Sequence, residues 1–116
     1  MVIATQLIQS GEVIEISPAI AIADKTRELL KPTELFQYCF VRPDRYLGNR
    51  PASGYLVLGL ATFCNHSDRP NAKIEWVKNE IGDWAHLIAL NAIDSGEEIL
   101  LFYTDIEDYE SSNWVQ

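Results

Sequence analysis

Cysteine, basic residues near the C-terminus and long apolar runs are all scarce in this sequence. Its 116 residues include only Cys39 and Cys64 and no CxxC pair, so neither a disulfide framework nor a zinc site is predicted. No apolar run approaches the roughly 18 residues of a membrane-spanning helix. The opening MVIATQLIQSGE lacks the basic and apolar regions of a signal peptide. We therefore expect no membrane partner and a cytoplasmic location, or a nuclear one in a eukaryotic or viral source.

Basic residues are missing from the last third of the chain. Lys78 is the last Lys or Arg, nine acids follow it, and the formal net charge is −8. An acidic end repels phosphate, so nucleic acid is not expected as a direct partner. It would attract a basic peptide and speed the encounter, although surface acids also simply keep a protein soluble.

The length and composition predict one globular domain built mainly of strands. A chain of 116 residues, of which 47% are hydrophobic and 22% charged, can bury a modest core. Short apolar runs alternate with turn signals such as Ser10-Gly11 and Ser95-Gly96. The predicted strands are residues 2–9, 13–23, 72–77, 84–92 and 98–103. An all-β or β-dominated fold follows from this pattern.

Helical signals are few and short. Residues 24–30 are predicted to form a helix, with Asp24 as its N-cap and Pro32 beyond its end, and another turn or two is predicted from Thr33. Residues 42–54 are predicted as a loop, because they are rich in Pro, Gly and Asn. The apolar run at 55–64 is either strand or helix, since its periodicity does not decide between them.

Two segments of the chain are similar to each other. ATQLIQSGEVIE at 4–15 and ALNAIDSGEEIL at 89–100 share Ala, Ile, Ser-Gly-Glu and Ile at equal spacing. Two copies are too few for a solenoid, and a Ser-Gly turn between strands is a common pattern. We predict from this similarity two alike turns in one fold.

Chemically capable side chains are concentrated in FCNHSDRPN, residues 63–71. A metal site is disfavoured there, because only His86 and Cys39 remain to complete a ligand set with Cys64 and His66. A Cys-His nucleophile pair is disfavoured too, since sequence neighbours seldom have the right mutual geometry. A buried His66 in a tight turn stays open as the plain alternative to a functional role.

The same segment, taken with three others, resembles the signature of the SET-domain protein-lysine methyltransferases. NHSDRPN at 65–71 matches the family's Asn-His-Ser-x-x-Pro-Asn stretch, and GEEILLFY at 96–103 matches its Gly-Glu-Glu-aliphatic segment ending in tyrosine. ATQLIQSGEVIE at 4–15 is similar to the family's first hairpin. YCFVR at 38–42 is similar to a Tyr-x-Phe-x-Arg segment of the minimal viral members, the nearest likeness. The resemblance therefore covers nearly the whole chain.

This resemblance implies a single SET domain over residues 1–116, with 104–116 as an acidic tail in place of a post-SET segment. The implied fold is β-clip-like, a set of small sheets in which a C-terminal pseudoknot brings the two motifs together. The implied activity is transfer of a methyl group from S-adenosyl-L-methionine to a lysine ε-amine. The partner would be a basic protein or peptide bearing that lysine. A homodimer is a further expectation, as in the viral relative, because so small a domain can leave apolar strands to cover.

The resemblance also assigns roles to individual residues. Tyr103 is implied as the catalytic residue, whose hydroxyl orients the amine where donor and acceptor meet in a narrow channel. The implied cofactor contacts are Asn65, His66, Tyr103, Tyr109 and Trp114. The implied channel residues are Tyr38, Leu101 and Tyr109.

Some family features are missing from the sequence. No Gly-x-Gly turn precedes Val2, which predicts either a truncated start or weakened cofactor binding. Asp68 stands where relatives with a zinc-bound tail have cysteine, so no zinc is expected. Thr62 stands in place of a common arginine. A catalytically inactive SET-like domain that binds a basic peptide is therefore the alternative, and an unrelated β-rich interaction domain is a third.

Overall fold

The computed structural model describes residues 1–41 and 54–103. These residues form seven strands, one α-helix and two 3-10 helices. The strands are β1 (Val13–Ile22), β2 (Cys39–Val41), β3 (Gly54–Val57), β4 (Asn65–His66), β5 (Ala72–Lys78), β6 (Asp83–Ala89) and β7 (Leu100–Leu101). The prediction of a β-dominated domain with little helix is confirmed.

Five of the strands form one antiparallel sheet in the order β2-β3-β1-β6-β5. The ten-residue β1 lies at its centre and pairs with β3 on one side and β6 on the other. β5 and β6 form a hairpin, as the alternation of AKIEWV and the turn after it predicted. The remaining two strands, β4 and β7, pair with each other in parallel.

The helices agree with the sequence predictions in place but not in every detail. The α-helix α1 runs from Asp24 to Leu30, as predicted, but its N-cap position is Ala23. The prediction of Asp24 as N-cap was therefore wrong by one residue, because extended backbone ends one position earlier. One 3-10 helix spans Glu34–Tyr38. The undecided run at 55–64 contains both alternatives, since β3 is followed by a second 3-10 helix at Leu60–Phe63.

Two predicted strands are much shorter in the structure. Residues 2–9 form only isolated bridges, Ile3 with Glu98 and Ile8 with Ile93, and of residues 98–103 only β7 is strand. The physical reason is that several backbone hydrogen bonds of residues 2–9 are made to turn residues and not to an extended partner strand. The amide of Ala4, for example, donates to the carbonyl of Glu97 at 2.9 Å.

The two similar segments, residues 4–15 and 89–100, bond to each other with local two-fold symmetry. Ile8 and Ile93 occupy equivalent positions in the two segments, and each amide donates to the other's carbonyl at 2.9 Å. Two further pairs of backbone hydrogen bonds are related by the same symmetry. The bond from Ala4 N to Glu97 O, 2.9 Å, corresponds to that from Ala89 N to Glu12 O, 3.0 Å. The bond from Gly96 N to Ala4 O, 2.7 Å, corresponds to that from Gly11 N to Ala89 O, 2.8 Å. The similarity in sequence thus corresponds to a shared arrangement as well as to two alike turns.

The hydrophobic core covers one face of the five-stranded sheet. Alanines occupy many of the core positions on the strands, where a small side chain lets other segments approach closely. Leu87 and Ile93 are almost completely buried, and burial of an aliphatic side chain of that size contributes about 1.5–3 kcal/mol. Leu101 of β7 and Cys64, which directly precedes β4, both belong to this core, so the core supports the parallel pair directly.

The symmetry predicts that Gly11→Ala and Gly96→Ala have similar effects. Both glycines have positive φ, 84° and 93°, and an added methyl would meet nothing within 4 Å. The cost is therefore conformational, and we expect each substitution to lower the free energy of unfolding by about 1 kcal/mol. Urea denaturation measures this loss. Asn tolerates positive φ better, so Gly11→Asn should lose less, and effects differing by more than about 1 kcal/mol between the two sites would contradict the symmetry.

Candidate active site

The parallel pairing of β4 with β7 brings the two sequence motifs together. Asn65 lies opposite Leu100 and His66 opposite Leu101. The amide of Ser67 continues the pairing by donating to the carbonyl of Leu101 at 2.8 Å. Segments that are about 35 residues apart in sequence thus form one site.

The side-chain amide of Asn71 closes this junction. Its Nδ2 donates to the carbonyl of Glu98 at 2.8 Å, and its Oδ1 accepts from the amide of Leu100 at 2.8 Å. A carboxamide carries both a donor and an acceptor, so it can substitute for a backbone neighbour. This gives a physical reason for an asparagine at the end of the motif.

Asn65 is oriented by an acid from the second motif. Its Nδ2 donates to the Glu98 carboxylate at 2.6 Å, a charge-assisted bond that is stronger than a neutral one. The bond fixes the amide so that its Oδ1 is left as an acceptor. Glu98 was not singled out as a site residue from the sequence, although it belongs to the Gly-Glu-Glu motif.

His66 holds the backbone of the predicted catalytic residue. Its Nδ1 accepts a hydrogen bond from the amide of Tyr103 at 2.8 Å, so Nδ1 carries no proton and the neutral ring carries its proton on Nε2. Nε2 lies 3.4 Å from the exposed carboxylate of Asp68. The imidazole thus has protein partners on both nitrogens and positions Tyr103, but it is only partly buried and lies on β4, whereas the plain alternative expected a buried histidine in a tight turn.

Tyr103 lies where the two motifs meet. Its hydroxyl donates to the carbonyl of Cys64, and its ring packs edge-on against Phe40 with centroids 6.1 Å apart. The ring also lies 5.4 Å from that of His66. The phenol is therefore held at its backbone, ring and hydroxyl.

A cavity of about 300 Å³ opens beside this tyrosine. Its described lining residues are Met1, Gln37, Tyr38, Thr62, Phe63, Cys64, Asn65, His66 and Tyr103. Four predicted site residues, Tyr38, Asn65, His66 and Tyr103, thus surround one space. Of the lining residues that were not predicted, Gln37 and residues 62–64 lie close to predicted ones along the chain, whereas Met1 is distant in sequence and no local signal pointed to it.

The remaining predicted site residues do not line the described part of the cavity. Leu101 is 2% exposed and packs in the hydrophobic core. Tyr109 and Trp114 lie outside the described residues, as does Arg42 of the YCFVR segment. The role of these residues stays a prediction.

A carboxylate from the central strand caps the 3-10 helix that leads into Asn65. Glu15 Oε1 accepts from the amide of Leu60 and from the hydroxyl of Ser17, both at 2.7 Å. A β-carbon on Gly59 would lie 2.0 Å from Ser17 Oγ and 2.4 Å from Glu15 Oε1, so this approach requires a glycine. The cap was not foreseen from the sequence, because Glu15 and Leu60 are 45 positions apart.

The thiol beside the site is unsuited to nucleophilic catalysis. Cys64 is fully buried, and burial, with help from the Glu15 and Glu98 carboxylates, raises its pKa to about 12. Only the thiolate is an effective nucleophile. In the part of the chain that the structure describes, no three His, Cys, Asp or Glu side chains are grouped to hold a metal. No helix there is long and apolar enough to span a bilayer.

The chain is similar to proteins of one family. The family model described as SET domain matches residues 1–104. A candidate histone methyltransferase of Plasmodium falciparum has a similar structure, with 31% identity and a TM-score of 0.64 over 88% of this chain and 84% of that one. The Neurospora SET domain protein DIM-5, a histone lysine methyltransferase, has 20% identity and a TM-score of 0.63 over 88% of this chain and 46% of that one. No curated protein is significantly similar in sequence.

These structural similarities test the fold that was predicted from the motifs. A β-dominated, SET-like fold is confirmed by the structural agreement with the Neurospora protein, of which this chain spans less than half. The finer likeness to the minimal viral members stays a prediction.

Removal of the Glu15 cap should destabilise the domain. Glu15→Ala leaves the Leu60 amide without its acceptor, and we expect the free energy of unfolding to fall by about 1–3 kcal/mol in urea denaturation. Glu15→Gln should lose less, since an amide oxygen still accepts. Glu75→Ala is the matched control, because that strand carboxylate makes only a long ion pair, 3.8 Å from Lys73. Equal losses for Glu15→Ala and Glu75→Ala would rule out the cap.

The raised thiol pKa predicts slow alkylation of Cys64. At pH 8.5 about half of an ordinary cysteine is thiolate, whereas a pKa of about 12 leaves on the order of 0.03%. We expect iodoacetamide to label Cys64 at least about 10³-fold more slowly in the folded protein than in urea, as followed by peptide mass spectrometry. Rapid labelling of the folded protein would show that the thiol is neither buried nor neutral.

Proposed function

Because the chain belongs to the SET domain family, we propose that it transfers a methyl group from S-adenosylmethionine to the ε-amine of a lysine in a protein. The observation that carries the proposal is the position of Tyr103, held beside the cavity by His66 and Cys64. Two structurally similar proteins are a candidate histone methyltransferase and a histone lysine methyltransferase.

The cavity suits the cofactor in size and in its polar groups. Its volume of about 300 Å³ lies at the lower end of the range for small-molecule sites. Asn65 lines it, and because Nδ2 is committed to Glu98, Oδ1 is left to accept from the ammonium of the cofactor's amino-acid end. His66 and Tyr38 would complete the wall around the bound molecule.

The bound cofactor supplies a methyl group on a positively charged sulfur, and the protein has to align the amine with it. The lysine must first lose its proton, and an apolar wall lowers the pKa of an amine by disfavouring the charged form. Phe40 and Phe63 supply such surface close to Tyr103 and the cavity. Alignment and exclusion of water alone can contribute several kcal/mol to the rate.

The hydrogen bond of Tyr103 decides which way its hydroxyl can act. The O–H donates to the Cys64 carbonyl, so the phenol oxygen presents only lone pairs to the cavity. Those lone pairs can accept an N–H of the neutral amine and thereby turn the nitrogen lone pair toward the methyl carbon. With the cofactor bound, they would also stabilise the partial positive charge on its methyl group. Tyr103 therefore acts by orientation and electrostatics, with no proton transfer of its own.

The net charge favours a basic substrate. A formal charge of −8 raises the local concentration of Lys-rich and Arg-rich peptides at moderate salt. We propose a basic protein segment that bears the target lysine as the substrate class.

Tyr103→Phe should abolish methyl transfer without loss of the fold. The acceptor oxygen disappears while the ring contacts with Phe40 and His66 remain, so we expect the turnover rate to fall at least about 10²-fold. S-adenosylmethionine affinity should change less than about threefold in calorimetry. The assay is transfer of a labelled methyl group to lysine peptides from histone tails.

Tyr55→Phe is the matched control. It removes one phenol oxygen from a ring that stacks on Trp76 with centroids 4.9 Å apart, outside the described cavity lining. Its turnover should stay within about twofold of the original protein. If the original protein does not bind S-adenosylmethionine and does not transfer a methyl group, the enzyme proposal is wrong. Binding of a basic peptide under those conditions would instead support the inactive peptide-binding domain.

A further inference from the structure

The hydrogen bond between Tyr103 and His66 exists in only one protonation state of the imidazole. A backbone amide can only donate, and the acceptor for the amide of Tyr103 is Nδ1 of His66, 2.8 Å away. A neutral imidazole offers one ring nitrogen as an acceptor, whereas a protonated imidazole carries hydrogen on both nitrogens. Protonation of His66 therefore sets two donors against each other across this contact.

We propose that His66 is a pH-sensitive positioning residue, whose neutral ring holds the backbone of Tyr103 and whose protonation releases it. Two donors 2.8 Å apart repel each other, so the Tyr103 amide has to turn away from the protonated ring. Tyr103 lies just beyond β7, a strand of only two residues, and this amide is an anchor at the end of that strand. Release of the amide therefore loosens the tyrosine and leaves the rest of the sheet in place.

The groups that touch the ring of His66 allow this change. The exposed carboxylate of Asp68 lies 3.4 Å from Nε2, and its negative charge stabilises a protonated ring. The uncharged ring of Phe102 lies 5.0 Å from the imidazole, centroid to centroid. The Tyr103 hydroxyl donates to the carbonyl of Cys64 and so makes no bond to the imidazole. Only the acceptor role of Nδ1 opposes a second proton on the ring.

Other titratable groups near the ring keep their charge in the pH range that matters. Burial raises the pKa of the Cys64 thiol to about 12, so that thiol stays neutral. Its charged neighbours are the carboxylates of Glu15 and Glu98 and the amino group of Met1, and the phenol of Tyr38 lines the same cavity. Between about pH 5.5 and about pH 7.0, ordinary carboxyl groups are largely ionised, and ordinary amino and phenol groups are largely protonated. A change within this range therefore reports on histidine.

Hydrogen exchange at single amides, followed by NMR, tests the release without cofactor or substrate. Between about pH 7.0 and about pH 5.5, the protection of the Tyr103 amide, corrected for intrinsic exchange, should fall at least about fivefold. The matched control is the Leu100 amide, which also donates over 2.8 Å to a side chain, Oδ1 of Asn71, but to an acceptor that does not titrate. Its protection should change less than about twofold. Equal losses at both amides, or no loss at Tyr103, would overturn the proposal.

Asparagine substitutions separate the two histidines of the sequence. The side-chain oxygen of asparagine can occupy the position of Nδ1 and accepts without titrating, so in His66→Asn the Tyr103 protection should change less than about twofold over the same range. His86→Asn makes the same change on β6, opposite Glu75, and should keep the fivefold fall. A fall that persists in His66→Asn contradicts the assignment.

A second measurement on the unchanged protein covers the case in which His66→Asn does not fold, as judged by far-UV circular dichroism. The ¹⁵N NMR signals of the ring report which nitrogen carries a proton. Nδ1 of His66 should be unprotonated at about pH 7.0 and should gain its proton together with the loss of Tyr103 protection. A proton on Nδ1 while the Tyr103 amide stays protected would exclude the proposed release.

The consequence for turnover rests on the proposed function and is measured separately. Because the substrate amine must lose one proton, kcat/KM should fall about tenfold per pH unit in acid. A second proton on His66 should steepen the fall toward about a hundredfold per unit below about pH 6. His86→Asn should keep the steep fall, whereas His66→Asn should show about tenfold per unit, each relative to its own rate at about pH 8.5.

The two parts of the proposal fail in different ways. If the unchanged protein transfers no methyl group, the proposed function is wrong, while the exchange data still decide whether His66 releases Tyr103. If methyl transfer is observed and all three proteins show the same fall with pH, His66 does not control turnover through Tyr103.

Discussion

Everything at the site depends on one short parallel junction, and the Asn71 amide holds it. Strands of two residues, such as β4 and β7, are too short to be stable by themselves. The two bonds of the Asn71 amide to Glu98 and Leu100, each 2.8 Å long, supply what the backbone pairing lacks. Without this junction Asn65 and His66 would not line the same cavity as Tyr103.

The local two-fold pairing explains how the second motif reaches the junction. Residues 4–15 hold residues 89–100 by matched backbone bonds on both sides of the Ile8–Ile93 pair. These backbone bonds fix the position of Glu98, and the Glu98 carboxylate in turn orients the Asn65 amide. Fold and site are thus coupled through hydrogen bonds, which explains why so small a domain can hold a tyrosine hydroxyl in one position.

The site contains little acid–base machinery, and this agrees with the chemistry of methyl transfer. The Cys64 thiol is neutral because burial raises its pKa to about 12, and its contribution is a backbone carbonyl. His66 acts as an acceptor for a backbone amide. What the residues provide is orientation, because Asn65 and Tyr103 both line one cavity and each is held there by a hydrogen bond.

The sequence by itself determined the local elements and the motifs. Alternation and turn residues predicted β5, β6 and their hairpin, and the resemblance of two motifs to the SET-domain signature implied that Asn65 and Tyr103 serve one site. Only the tertiary structure decided which surfaces are covered. Alternation shows that Ile16 and Ile20 share one face of β1 and Ser17 the other, but the buried face is the one with Ser17. Likewise, contacts such as Glu15 with Leu60 join distant residues, and no local pattern encodes which distant segments will pack together.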